Sequence, residues 1–120
     1  MAEHNDTGQA GENLAAEYLQ KKGYKILERN WRFGKEEVDI IALHEGMLVI
    51  AEVKCRTSEY FGQPHEAVSK GKQNHLIKAA NAYIEKNDLD LECRFDIIGV
   101  VINRNGRKIT HVEGAFQPRW

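Results

Sequence analysis

The sequence predicts a single α/β domain in which helices flank a mixed central sheet. Two segments repeat apolar residues at helical spacing, and several short runs are rich in Val, Ile and Leu, as strands are. Gly and Asn-Gly turn signals separate the runs. The 120 residues can enclose one core and leave little room for a second. The predicted order is α-β-β-β-α-β, followed by a closing strand.

The first predicted elements are a helix and a strand. Residues 8 to 22 form the helix, and Gly23 ends it. The residues that recur at helical spacing are Ala10, Leu14, Ala15, Tyr18 and Leu19. A strand follows from Tyr24 to Phe33, and Gly34 turns the chain.

The next two strands, Val38 to Leu43 and Leu48 to Val53, form a hairpin. If Glu45 and Gly46 are the loop residues, the numbers of every opposed pair sum to 91. This register places Asp39 across from Glu52, and Glu37 across from Lys54.

Because side chains alternate between faces, this register makes one face of the hairpin apolar throughout. That face carries Val38, Ile40, Ala42, Val49, Ala51 and Val53. The other face is apolar near the turn and charged at its far end. Its charged members form one predicted cluster: Glu37, Asp39, Glu52 and Lys54.

After the hairpin, residues 57 to 66 form a loop that contains Gly62 and Pro64. A second helix is predicted from Ala67 to Lys86, with an apolar stripe of Leu76, Ile77, Ala80, Tyr83 and Ile84. A buried strand, Phe95 to Ile102, precedes an Asn-Gly turn and a last strand near Ile109 to Val112. Residues 1 to 7 and 114 to 120 are predicted to be loose ends.

Opposed carboxylates repel one another, and their removal from water without a counter-charge is costly. Lys54 supplies one positive charge against three negative charges, so a divalent cation would balance the cluster. Hard oxygen ligands suit Mg²⁺ or Mn²⁺. The alternative is a solvated sheet edge on which the charges face water. The spacing argues against it, because a twelve-residue gap that closes as a hairpin between Asp39 and Glu52-Val53-Lys54 is specific.

This arrangement resembles the PD-(D/E)xK motif of restriction-endonuclease-like nucleases. The flanking segments "GENLAAEYLQKKGYKILERNWR", "EEVDIIA", "AEVKCRT", "FGQPHEAVSKGKQNHLIKAANAYI" and "RFDIIGVV" look like the YraN-like family of uncharacterised bacterial proteins. The resemblance runs from about Gly8 to Val101 and implies a restriction-endonuclease-like core. That family usually has Gly where this chain has Glu36, and Val38 stands in place of the Pro in the motif's name.

The resemblance implies a catalytic set and a Mg²⁺ or Mn²⁺ cofactor. Asp39 and Glu52 would bind the metal, the Val53 carbonyl can add a ligand, and Lys54 would orient or activate the attacking water. Glu37 would either hold Lys54 or bind a second metal. Glu12 is either a further ligand, since the first helix in relatives commonly sends a Glu to the site, or a first-turn residue favoured by the helix dipole.

Polar residues outside the hairpin supply candidate nucleic-acid contacts, namely Lys72, Gln73 and Arg56. Lys72 either reaches the site or extends to water from the margin of the apolar stripe. Gln73 falls on the buried side of its helix and therefore needs a hydrogen-bond partner. Asp96 is predicted to form a structural salt bridge with Arg94 or Arg56 rather than to bind metal.

A net charge of −1 lowers the expectation of nucleic-acid binding, because phosphate neutralisation supplies much of the affinity of such proteins. The basic residues are nevertheless grouped, either as phosphate contacts or as solvated surface. The groups are Lys21, Lys22, Lys25, Arg29, Arg32 and Lys35, then Lys70, Lys72, His75 and Lys78.

The beginning of the chain lacks a signal-peptide pattern, and no run is apolar enough for a membrane span. The sequence thus predicts a cytoplasmic, metal-dependent nuclease that acts on nucleic acid, DNA being expected, either as a monomer or as a homodimer. The alternative is a catalytically silent module of the same fold that binds nucleic acid or protein.

Overall fold

The computed structural model describes residues 2–57 and 68–118, with side chains from Gly8 onward. The described residues form the predicted succession of elements. They are α1 (Ala2–Lys21), β1 (Lys25–Phe33), β2 (Glu36–His44), β3 (Met47–Arg56), α2 (Lys70–Lys86), β4 (Glu92–Asn103) and β5 (Gly106–Phe116). The α/β class and the element order are therefore confirmed. Ala67 and most of the predicted loop lie outside the described residues.

Several elements are longer than the sequence pattern indicates. The first helix begins at Ala2 instead of residue 8, and the last strand extends to Phe116 instead of Val112. The second helix begins at Lys70, where Ser69 caps it by accepting a hydrogen bond from the backbone N–H of Lys72. The looseness of the chain ends stays a prediction.

The sheet contains all five strands in the order β1-β2-β3-β4-β5. Neighbouring strands are antiparallel except β3 and β4, which are parallel. A parallel pair needs a crossover connection, and α2 supplies it. The sheet is consequently mixed, as predicted, and β1 and β5 are its edges.

Each face of the sheet packs against one helix. The α1 face buries Leu19 against Ile40, Val49 and Ile98. The α2 face buries a second set, namely Leu76, Ala80 and Tyr83 of the helix with Val38, Ile41, Leu48, Ile50 and Phe95 of the strands. Because both faces are covered, the central strands are apolar on both sides.

The hairpin loop has the predicted residues. Glu45 has φ 51° and Gly46 has φ 78°, as a two-residue loop of the type I′ class requires. The β2–β3 register runs from His44–Met47 to Ile40–Ala51, which confirms the predicted sum of 91 over this stretch.

Beyond Ile40 the prediction for the hairpin is wrong. Val38 packs on the α2 face, not on the face of Ile40. The alternation breaks at Asp39, which has no partner in the register of either neighbouring strand of the described sheet. Beside it in β1, Asn30 has φ 55°, a backbone conformation that regular strands do not adopt. The hairpin therefore opens at Asp39 instead of continuing as a ladder.

The first helix approaches the sheet most closely at Gly11. A Cβ atom at this position would lie 2.6 Å from Cys55 Sγ, so no side chain fits between α1 and β3 there. Ala10, which the sequence pattern assigned to the apolar stripe, is exposed, and Gly11 is buried in its place. The turn of α1 that bears Glu12 is thereby held against the sheet.

Candidate metal and nucleic-acid site

The candidate site lies where β2 and β3 separate. Asp39 Oδ2 accepts a hydrogen bond of 2.8 Å from the backbone N–H of Val53. This bond replaces the next step of the ladder, so the expected direct pairing of Asp39 with Glu52 is absent from the register. A carboxylate thus stands in the opening between two buried strands.

Two further carboxylates lie beside Asp39 on the α1 face. Carboxylate oxygens of Glu12, Glu37 and Asp39 lie within 4.8 Å of one another, and all three residues are half-buried. Burial, and then the charge of Asp39, raise the pKa of Glu12. Glu12 therefore points towards Asp39 and Glu37, and its role as a metal ligand stays a prediction. Arg32 Nη2 lies 3.5 Å from Glu37 Oε2, so Glu37 forms an ion pair with β1, and its two predicted roles stay predictions.

Glu52 lies on the other side of the opening and is 6% exposed. Burial, and then the charge of Asp39 and a hydrogen bond with it, raise the pKa of Glu52 to about 8. Its Oε2 atom receives no hydrogen bond from the described residues. A buried polar atom of this kind normally takes part in a hydrogen bond. The predicted single-faced cluster is therefore wrong in detail, although Asp39 still links the carboxylates of both faces.

Two lysines lie near Glu52. Lys72 Nζ of α2 is 3.5 Å from Glu52 Oε2 and 3.7 Å from Glu36 Oε2. The charge of Lys54 also lowers the pKa of Glu52, by less than that of Lys72 does. The side chain of Lys72 hence reaches the site and does not simply extend to water, which was the other interpretation of its position.

The other predicted nucleic-acid contacts lie at different places. Gln73 Nε2 donates to the carbonyl oxygen of Val68 at 3.2 Å, so its partner is backbone at the start of α2. Arg56 ends β3, half-buried and in register with Val101. Sequence reasoning missed the contact between His75 Nδ1 and Glu36 Oε1, which are 2.9 Å apart.

Asp96 belongs to a separate buried network on the α1 face. Arg94 donates a hydrogen bond of 2.9 Å to each carboxylate oxygen of Asp96, which confirms the predicted salt bridge. His111 Nε2 lies 2.7 Å from Asp96 Oδ2, and Tyr18 Oη lies 3.1 Å from His111 Nδ1. Burial alone would raise the pKa of Asp96, but hydrogen bonds from His111, Arg94 and the Gly114 N–H hold that pKa below its usual value. Asp96 is thus structural.

The carboxylates of the site fit a hard divalent cation. The candidate donors are oxygens of Glu12, Glu37 and Asp39, and the buried Oε2 of Glu52 accepts no hydrogen bond from the described residues. Carboxylate oxygens are the ligands that Mg²⁺ and Mn²⁺ prefer. A cation here would also offset the repulsion that raises the pKa of Glu52.

An apolar groove lies elsewhere and has different chemistry. A groove of about 590 Å³ near the hairpin loop is lined by apolar side chains that include Ile77, Ile84, Leu91, Phe95 and Phe116. It contains none of the four clustered carboxylates. The carboxylates bring together the polar groups that a bound metal would require and the groove does not, so the carboxylates are the candidate site.

No described helix is long and apolar enough to cross a membrane. Fold and site together define an α/β protein with a mixed five-stranded sheet and a carboxylate cluster at an opened hairpin. Residues 11–100 match the model of the uncharacterised protein family UPF0102, and the chain belongs to this family.

Similar proteins cover nearly the whole chain. A UPF0102 protein of Flavobacterium psychrophilum is 58% identical over 97% of this chain and 98% of its own length. The corresponding protein of Christiangramia forsetii is 50% identical over the same shares. That of Bacteroides thetaiotaomicron is 48% identical over 98% of each chain. The expected family is confirmed.

Proposed function

We propose that this protein is a metal-dependent nuclease of the PD-(D/E)xK type, which hydrolyses phosphodiester bonds of nucleic acid in the cytoplasm, with DNA as the expected substrate. The observation that supports it best is the buried Glu52 oxygen without a hydrogen bond, beside Asp39. A purely structural cluster would give that atom a hydrogen bond, whereas Lys72 Nζ approaches it only as an ion pair at 3.5 Å. A site that receives a cation would keep it available.

Four carboxylates are the candidate ligands for Mg²⁺ or Mn²⁺: Glu12, Glu37, Asp39 and Glu52. When bound, the metal would withdraw charge from the scissile phosphate and favour deprotonation of the attacking water. The Val53 N–H fixes the orientation of the Asp39 carboxylate by donating to Oδ2. The Val53 carbonyl stays a candidate ligand.

The lysines have separate roles in this proposal. Lys54 follows Glu52 by two residues and so shares its side of the strand. It orients the attacking water and stabilises negative charge that develops on the phosphate. Lys72 is held between Glu52 and Glu36, where it offsets part of the acidic charge before substrate arrives. Lys72 can then contact a phosphate group.

The test is cleavage of labelled duplex, nicked, branched and single-stranded substrates with Mg²⁺ or Mn²⁺. We expect the wild type to cut at least one substrate and Asp39→Asn/Glu52→Gln to cut none, while it binds nucleic acid without metal at least as well. The matched control is Asp90→Asn/Glu92→Gln, which removes the same charge from the opposite end of the sheet. Binding without cleavage in the wild type would instead support the catalytically silent module.

A further inference from the structure

Phe33 presents an aromatic ring to solvent at the end of an edge strand. It is 41% exposed, more than any other large hydrophobic residue in the part of the chain that the structure describes. Its ring is nearly parallel to that of Trp31, with a 4° angle and 6.3 Å between centroids. Trp31 in turn packs edge-on against Tyr83 of α2 at 5.2 Å. The exposed ring is therefore oriented by neighbours that are anchored in the core.

Strand register and ion pairs relate this ring to the carboxylate site. Phe33 is in register with Glu36, so both side chains lie on the α2 face. Glu36 contacts His75 and Lys72, and Lys72 contacts Glu52. An apolar ring and nitrogen donors thus lie on the same face of the sheet at the margin of the site.

The chemistry of this margin matches a nucleotide. A nucleobase offers an apolar face that stacks on aromatic rings, and its phosphate needs positive or N–H donors. The side chain of His75 is 49% exposed, and that of Lys72 is 30% exposed. A protein with a net charge of −1 gains little affinity from its overall field, so stacking has to contribute.

We propose that Phe33, His75 and Lys72 form a subsite for an unpaired nucleotide next to the scissile phosphate, with the base stacked on Phe33 and a phosphate held by the two α2 residues. The inference rests on the proposed nuclease function and names its substrate class as single-stranded or locally unpaired nucleic acid. Bases within a duplex are covered by their neighbours and cannot offer a face to the ring.

Glu36 competes with the substrate in this subsite. Its carboxylate occupies the donors of His75 and Lys72 that a phosphate would use. Glu36→Gln removes one negative charge and weakens both contacts, so it raises the affinity for a single strand severalfold. This gain in strand affinity is the opposite of the loss expected when Phe33 is replaced, so the phosphate contacts and the stacking contact can be tested separately.

The experiment measures binding in EDTA at low salt by fluorescence anisotropy, so it does not depend on cleavage. The probes are an oligothymidine strand, an abasic strand of equal length and a duplex. Phe33→Ala and Phe33→Leu should weaken binding of oligothymidine on the order of tenfold, since stacking on one ring contributes about that much. Neither should change binding of the abasic strand, and Phe33→Trp should retain wild-type affinity.

Several results would overturn the subsite. An unchanged affinity of Phe33→Ala for oligothymidine, or an equal loss with the abasic strand, would remove stacking from the account. If light scattering shows that Phe33→Ala converts a dimer into a monomer without loss of strand affinity, Phe33 packs against a second copy. Strand binding that is independent of Phe33 leaves the nuclease proposal intact. Failure of every strand to bind in EDTA rejects the subsite, and cleavage with Mg²⁺ or Mn²⁺ then decides the nuclease proposal separately.

Trp31 offers a second readout. In a Trp120→Phe background Trp31 is the single tryptophan of the chain, and its ring lies parallel to Phe33. Oligothymidine should quench its emission and the abasic strand should not. Urea unfolding of each variant shows that the exposed position has been changed without loss of the fold.

Discussion

Asp39 accepts a hydrogen bond of 2.8 Å from the backbone N–H of Val53 at the point where the hairpin opens. The bond stabilises the end of the ladder with a carboxylate instead of a carbonyl. It therefore joins sheet geometry to the charge of the site. Asn at this position keeps an acceptor for Val53 and removes the charge, so Asp39→Asn tests charge alone.

Metal should stabilise the folded protein. A cation that binds only the native state at a hundredfold excess over its Kd adds about 2.7 kcal/mol, which corresponds to a rise of several degrees in Tm. Millimolar Mn²⁺ should produce this rise in the wild type and in Asp90→Asn, measured by thermal unfolding. Asp39→Asn should lose it. A wild-type Tm that Mn²⁺ leaves unchanged would contradict a preformed site.

Without metal, the stability of the protein should fall as pH rises from about 4.5 to about 8. The pKa of Glu52 is raised from its usual 4.5 to about 8. Over that interval the native state binds a proton that the unfolded chain has released, so higher pH favours unfolding. Over the full interval the effect is on the order of 5 kcal/mol. Urea unfolding in EDTA at several pH values measures it, and the same slope in Glu52→Gln would assign it to another group.

Replacement of Lys54 should lower cleavage, whereas replacement of Lys72 should lower stability. Lys54→Ala should fold normally and lose cleavage by about a hundredfold or more, as the loss of a transition-state contact does. Lys72→Ala removes the cation nearest to the buried Glu52 and should raise the pKa of Glu52 further, with lower stability near neutral pH. Turnover and urea unfolding of each variant separate the roles. Full activity in Lys54→Ala would make that residue a surface cation.

Asp96→Asn should lower the free energy of unfolding, whereas Asp39→Asn should not. Asp96→Asn leaves the half-buried Arg94 with a weaker partner and should cost about 3 kcal/mol, the lower end for rupture of a buried pair. Since the pKa of Asp96 is lowered, its contribution is present above the usual 3.8 and is lost as pH falls through the lower, folded value. Asp39→Asn in EDTA should be no less stable than wild type. Equal losses in the two variants would show that both carboxylates are structural.

Local patterns in the sequence suffice for most of the fold. Helical spacing, runs of branched apolar residues and the Glu45-Gly46 loop predict the element order and most of the hairpin register. These features depend on residues that are close in sequence. The position of Val38 could not be predicted in this way, because the break at Asp39 depends on how β1 and β3 both depart from regular pairing with β2.

Long-range contacts explain what else the sequence could not predict. Glu12 is brought to Asp39 by the packing of a whole helix, and the spacing of its neighbours leaves its direction open. The contact of His111 with Asp96 depends on the β4–β5 register, which is irregular between Phe95 and Ile97. No local signal identifies His111 or Tyr18 as partners of Asp96.

The absence of a side chain at Gly11 couples two positions that are distant in sequence. A methyl group there would lie 2.8 Å from Cys55 Cβ as well as 2.6 Å from its sulfur, so Gly11→Ala needs a smaller neighbour or a displaced helix. Glu12 would move with that helix. Substitutions at positions 11 and 55 are thus acceptable only in compensating combinations. The position of the Glu12 carboxylate therefore depends on the space between Gly11 and Cys55, which is too small for a methyl group.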